Sequence, residues 1–205
     1  LIGVLSKIVL NSVEVMLRDL VIRNRCYRRF DESKKVDLEL LKQLVELSRF
    51  CPSAKNLQPL KFVLINTPDL CNLVFTNLAW AGYLEDWDGP AEGERPTAYI
   101  LILEDKRLSS ESEWDQGIVA QTIRLGAAEK GLGSCIIASV QREILQNSLN
   151  LPDFLNIALI IAIGVPVEQV VIDDTDDSDS IIYWRDTNRV HHVPKRKLDD
   201  LIWKV

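Results

Sequence analysis

The sequence holds only two histidines, His191 and His192, adjacent and near the end of 205 residues. That scarcity argues against a Ser-His-Asp hydrolase, whose base would have to come from this one segment. It also leaves no H-E-x-x-H zinc helix, and neither a G-x-S-x-G nucleophile turn nor a G-x-x-x-x-G-K-[ST] phosphate loop occurs. Gly126, Gly131 and Gly133 have the wrong spacing for a G-x-G-x-x-G fingerprint and close a predicted helix instead of opening one. The four cysteines, Cys26, Cys51, Cys71 and Cys135, form no C-x-x-C pair. A zinc site or disulfide framework is therefore not expected, and they read as reduced thiols of a cytoplasmic protein. No apolar run is long enough to span a bilayer. Leu1 to Leu20 is broken by Lys7, Asn11, Glu14, Arg18 and Asp19 and is followed by no small-residue cleavage site, so it reads as an amphipathic helix and not a signal peptide. With a net charge of −6 and no basic stripe, the chain is the opposite of a nucleic-acid binder.

What is present is an ordinary globular composition, 47% apolar and 26% charged. The length suits a single domain over 1–205. Helices are expected over Gly3–Asn24, with Val4, Ile8, Val15 and Ile22 as its stripe, and over Asp37–Arg49, with Leu40, Leu41, Leu44, Val45 and Leu47 as its face. Lys61–Asn66 and Ala98–Glu104 read as strands, separated by a short helix after Thr67-Pro68-Asp69 and a loop over Leu78–Pro96. A helix over Trp114–Lys130 follows, with Ile118, Thr122, Leu125 and Ala128 on one side. Then come a short strand at Cys135–Val140, a helix at Gln141–Leu149 and a central strand at Asn156–Gly164. The acidic run Asp173 to Asp179 lacks the glycine and distal glutamate of a calcium loop and reads as a solvated turn. A hairpin from Ile181 to Val193 turns at Asp186-Thr187-Asn188. On it His191 and His192 face opposite ways and cannot chelate together, so no metal is expected. Irregular alternation of helices with about four core strands fits a layered α/β or α+β domain, not a doubly wound one.

Two segments carry chemistry. Arg25-Cys26-Tyr27-Arg28-Arg29-Phe30 offers guanidinium groups, which hold phosphate by bidentate, permanently charged contacts. Pro52-Ser53-Ala54-Lys55-Asn56-Leu57-Gln58-Pro59 brackets polar side chains between two prolines just before a strand. A rigid polar loop of this kind suits a heterocycle read along its edge by hydrogen bonds.

These segments resemble the nitroreductase family, whose members carry R-[ST]-x-R and then P-S-x-x-N-x-Q-P before the first core strand. Gly131-Leu132-Gly133-Ser134-Cys135, Ile161-Ala162-Ile163-Gly164-Val165-Pro166 and the basic tail Pro194-Lys195-Arg196-Lys197 follow in the same order. The resemblance implies an α+β fold: a central, mostly antiparallel sheet flanked by helices, with a C-terminal extension over 167–205. It implies FMN as cofactor and NAD(P)H as co-substrate. Arg25, Cys26 and Arg28 would hold the flavin phosphate, with Lys195 or Arg196 closing from the tail. Pro52, Ser53, Ala54, Asn56 and Gln58 would contact the same flavin from the other subunit of a homodimer, with the helix over 1–24 at the subunit interface. The backbone of Ile137, Ala138 and Ser139 would lie near the hydride-accepting nitrogen. Trp80, Tyr83 and Trp87 stand where they could line an acceptor site, packing being the competing reading. The implied reaction passes hydride from NAD(P)H through the flavin to a nitroaromatic or quinone-type electrophile in ping-pong turnover, and needs no catalytic side chain.

The chain departs from the pattern at Cys26, where the family has Ser or Thr, and at Asn24, where many members have arginine. Those departures keep open a flavin-binding sensor or storage protein without useful turnover. A dimeric protein binding another phosphorylated ligand through the same arginines is the third reading.

Overall fold

A computed structural model describes residues 16–109, 112–176 and 179–203. Of the first expected helix, α1 (Leu17–Arg23) is described, and the part before Met16 lies outside the described residues. The centre is a four-stranded antiparallel sheet in the order β1 (Leu60–Ile65), β2 (Ala98–Asp105), β4 (Leu155–Gly164) and β3 (Gly133–Ile137).

Alternation along the strands divides the core into two layers, since successive side chains point to opposite faces. Tyr99, Leu101, Leu103, Cys135, Ile137, Ile160 and Ala162 face one way, onto the layer that includes Cys71 and Val74 of α3 (Pro68–Phe75) and Leu145 of α5 (Arg142–Ser148). Ala98, Ile100, Ile102, Ile161 and Ile163 face the other. There they meet Leu41 and Leu44 of α2 (Leu38–Glu46) and Val119, Ala120, Ile123 and Ala127 of α4 (Glu113–Glu129). All eight residues of β2 are buried, as a strand covered on both faces must be. Between Ile102 and Leu103 the register with β4 slips by one residue at Ala158. Arg142 closes this bulge, donating to the carbonyls of Ala138, Ile157 and Ala158 at 2.8–3.0 Å.

Three expectations need correction. The buried side of α4 is Val119, Ala120, Ile123 and Ala127, whereas Ile118 of the expected stripe is 40% exposed. Small residues explain this: a Cβ at Gly126 would stand 2.5 Å from Leu47 Cδ1, so α4 approaches its neighbours through Ala and Gly, which buries Ala128 of the stripe and leaves Thr122 and Leu125 half-buried. The helix expected over Asp37–Arg49 ends at Glu46 and continues as a 3-10 turn over Leu47–Phe50. The acidic run is not simply a solvated turn. Asp173 and Asp174 belong to β5 (Val170–Thr175), which pairs in parallel with β7 (His191–Arg196). The expected hairpin survives only as β6 (Trp184–Arg185) against the start of β7, with Asp186 Oδ1 accepting from the Asn188 and Val190 amides in the turn. This three-stranded sheet, β5-β7-β6, with α6 (Leu198–Leu201) after it, is the C-terminal extension.

Candidate functional site

The arginine segment is laid along the edge of the main sheet. Cys26 bridges Ser134 and Phe30 bridges Pro166, while the Tyr27 amide donates to the Ser134 carbonyl at 3.1 Å and the Asp31 amide to the Val165 carbonyl at 2.8 Å. Glycines permit this close approach. A Cβ at Gly164 would meet the Phe30 ring at 2.9 Å, and one at Gly133 would meet Tyr27 and Pro166 at the same distance. The seat places Cys26 and Arg28 in a cleft of about 340 Å³.

That cleft gathers Arg25, Cys26 and Arg28 with Lys195 of β7 and Arg124 of α4, and among the described residues none that lines it is acidic. Arg124 was missed by sequence reading because it lies between Ile123 and Leu125 in an otherwise unremarkable helix; its burial is the signal. Its Nε donates to Ser134 Oγ at 3.1 Å, its Nη1 to Gln121 Oε1 at 3.4 Å and its Nη2 to Cys26 Sγ at 3.5 Å. Arg25 keeps its Nε buried without a partner. Asn24 is buried and donates to Gln121 Oε1 at 3.4 Å. Arg29 is committed elsewhere: it grips Glu94 with two bonds, and Arg189 reaches the same carboxylate at 3.1 Å. A cluster of cations without a carboxylate suits one ligand chemistry, a polyanion of phosphate type.

The C-terminal extension covers Arg28. Its Nη1 lies 3.0 Å from His191 Nε2, and its guanidinium sits 4.9 Å from the centre of the Tyr183 ring. Arginine can only donate, so His191 accepts at Nε2 and carries its proton on Nδ1, which is buried without a partner. Beneath lies Glu168, with a side chain fully inaccessible to solvent; it accepts from the Arg28 amide and pairs with Arg185 at 3.2 Å. Neither Glu168 nor His191 was read as part of the site from sequence.

Burial, reinforced by the charges of Arg28 and Arg185 and by His192, lowers the His191 pKa from 6.5 to about 4. The folded chain therefore holds this ring neutral while the unfolded chain protonates it. Stability owed to that difference is complete above pH 6.5 and is lost as pH falls toward 4. Between pH 6.5 and 4.5 the loss should be about 2 to 3 kcal/mol. His191→Gln, which keeps an acceptor for Arg28, should flatten this limb in urea denaturation curves taken at the two pH values. An unchanged slope would show that His191 does not set it.

The proline-bracketed loop forms a separate cleft of about 320 Å³, lined in part by Pro52, Ser53, Asn56, Gln58 and Asp115. Ala54 does not line it but donates its amide to Asp115 Oδ1 at 3.0 Å; Ser53 Oγ donates to Asp115 Oδ2 and accepts the Gln58 amide at 2.9 Å. Lys55, Asn56 and Gln58 all have positive φ, at 51°, 56° and 49°. Left-handed backbone at non-glycine residues costs on the order of 1 kcal/mol each and persists only where surroundings impose it. Here the buried Asp115 of α4 imposes it and leaves Asn56 and Gln58 exposed. Asp115 and Arg124 stand nine residues apart on α4, a rise of about 13 Å along the axis with the two side chains on opposite sides of the helix.

Ile137, Ala138 and Ser139 line a third, small cleft of about 120 Å³ with Trp80 and Arg28. Arg28 is thus common to this cleft and the cationic one. Trp80 is buried and packs 5.9 Å from Phe75, whereas Tyr83 and Trp87 line none of the three. They touch the extension instead, Tyr83 through the Tyr183 ring at 5.0 Å and Trp87 beneath the Arg185 guanidinium at 4.0 Å. Arg196 closes β7 and does not line the cationic cleft. His192 faces away from His191, stacked on Trp184 at 4.1 Å and 2.9 Å from Asp173. Among the described residues no group of His, Cys, Asp and Glu is placed to hold a metal ion.

The model of the Nitroreductase family matches residues 22–165. Among solved structures, the chain is similar to a nitroreductase family protein from Streptococcus pneumoniae TIGR4, with 18% identity over 93% of this chain and 100% of that one and a TM-score of 0.64. It is also similar to a nitroreductase family protein from Clostridium difficile 630, with 21% identity over 75% and 86% and a TM-score of 0.61. A third is an FMN-dependent nitroreductase from Clostridium difficile R20291, with 24% identity over 73% and 87% and a TM-score of 0.59. None of the curated proteins compared matches the chain.

Proposed function

The chain belongs to the nitroreductase family, and from that membership we propose that it is an FMN-dependent oxidoreductase, transferring hydride from NAD(P)H to a small conjugated electrophile of nitroaromatic or quinone type. The observation that carries this reading is the cationic cleft: Arg25, Arg28, Arg124 and Lys195 around a space lined, among the described residues, by no carboxylate. Three guanidinium groups and an ammonium are a fitting donor set for a flavin phosphate, and the unpartnered Nε of Arg25 adds to the fit. FMN, when bound, supplies the two-electron chemistry.

The protein's own residues bind, orient and shield. Arg25, Arg28 and Lys195 hold the phosphate, and Arg124 supports them from below through Ser134 and Cys26. Ile137 to Ser139 provide the wall next to Arg28 on the ring side. The Asp115-clamped loop leaves Asn56 and Gln58 exposed, in a cleft separate from the cationic one. That placement supports a homodimer in which each loop serves the partner's flavin. Exposed apolar side chains support it too: Met16 and Leu17 of the α1 region are 61% and 67% exposed, Phe50 77% and Trp114 82%. Nicotinamide donor and acceptor would use one opening in turn, which is ping-pong turnover. No helix among the described residues is long and apolar enough to cross a membrane.

The test is an absorption spectrum of purified protein before and after loading with FMN and removal of the excess. Retained yellow colour that bleaches anaerobically with NADH or NADPH is the expected result. Protein that retains no FMN overturns the reading and leaves the cleft to another phosphorylated ligand.

A further inference from the structure

The residue that departs from the family motif has a second sulfur beside it. Cys26 is half-buried in the cationic cleft, and its backbone bridges Ser134, next to Cys135. The Cys26 side chain packs against the buried cluster that contains Cys135, and Arg124 Nη2 stands 3.5 Å from Cys26 Sγ. We propose that Cys26 and Cys135 form a hydroperoxide-reactive thiol pair, with Cys26 the attacking sulfur and Cys135 the resolving one.

The surroundings make Cys26 the nucleophile. Its thiol is held well below the ordinary value, first by the bond from Cys135 and then by the charges of Arg124, Arg28 and Arg25, against the opposing effect of burial. Cys135, fully enclosed and beside Cys26, is driven the other way. The remaining groups about the cleft, Lys195 and neutral His191, add no negative charge. Cys71 gives the contrast within the same chain, since burial pushes it up to about 11. A thiolate, not a thiol, is the attacking species, so reactivity follows these differences.

In the first step the Cys26 thiolate attacks one oxygen of the hydroperoxide. The O–O bond breaks, and the leaving alkoxide or hydroxide takes a proton from water. Cys26 becomes a sulfenic acid: sulfur is oxidised by two electrons and the peroxide reduced by two. Cys135 sulfur then displaces hydroxide from Cys26, forming the S–S bond, and its thiol proton departs with that hydroxide as water. Because the arginines that face Cys26 also face the phosphate cleft, the sulfur and a bound phosphate compete for the same cations.

The experiment uses the full chain without added flavin. At pH 6, iodoacetamide should modify Cys26 about tenfold faster than Cys51, with Cys71 inert, as read by peptide mapping. Hydrogen peroxide should then remove two hydrogens from the intact mass and yield a Cys26–Cys135 linked peptide that dithiothreitol reverses. Cys135→Ser should instead give a dimedone adduct at Cys26. Labelling of Cys26 no faster than Cys51, or four titratable thiols surviving peroxide, would overturn the proposal. Colourless protein that still forms the link upholds it while overturning only the FMN reading.

Discussion

Arg28→Ala should weaken FMN binding by about 10- to 100-fold, the loss of one charge-assisted contact to phosphate. The position is chosen by geometry. Among the described residues Arg28 alone lines both the cationic cleft and the one formed by Ile137 to Ser139, so it stands where a flavin's phosphate and ring ends would meet the same chain. Its guanidinium is also the partner of His191 and lies against Tyr183. Removing it therefore loosens the extension as well as the phosphate site. Arg28→Lys should recover only part of the affinity, since an ammonium cannot reproduce the planar fork. Titration of apoprotein followed by flavin fluorescence reads the change, and size exclusion should show an unaltered oligomer. An unchanged FMN affinity would remove Arg28 from the site and leave the phosphate to Arg25, Arg124 and Lys195.

Glu168→Ala should destabilise the fold by about 3 kcal/mol or more, a drop in Tm of about 10 °C. The carboxylate has no solvent access and satisfies two groups, the Arg28 amide and the Arg185 guanidinium. Arg185 is itself only 15% exposed and is sandwiched against Trp87. Deleting the carboxylate leaves a buried cation without its counter-charge, and that penalty, not the attraction lost, dominates the cost. Glu168→Gln should cost less, because an amide oxygen still accepts from the Arg28 amide. A loss below about 1 kcal/mol on alanine replacement would mean that water reaches Arg185 and that the extension is held to the sheet by apolar contact alone.

The main sheet was legible because its residues obey a local rule. Ala98 to Leu103 and Ile157 to Gly164 hold no charged or amide side chain, as strands covered on both faces must, and both strands form within one or two residues of the expected bounds. The arginine segment and the proline-bracketed loop were also legible, because a motif is a local string. Local strings do not show which helix face meets a sheet. On α4 the expected side was Ile118, Thr122, Leu125 and Ala128; Ala128 is buried, but Ile118 is exposed, and Ala120, Gly126 and Ala127 allow closer packing and take the rest of the buried face. The acidic run was misread for a similar reason. β5 pairs in parallel with β7 across a connection of fifteen residues, and no turn signal between them announces such a partner.

By itself the sequence determined the strands of the main sheet, the two motifs and the cations from which a phosphate site can be built. Only the tertiary structure decided which cations share one cleft. It added Arg124 from mid-helix, diverted Arg29 to Glu94, and placed His191 and Glu168 against Arg28 from more than a hundred residues away. It also brought Cys26 beside Cys135, turning a departure from a motif into a pair of sulfurs. The physical reason is that charge and hydrogen-bonding capacity belong to residue types, whereas burial and partner choice belong to packing, which no short window of sequence contains.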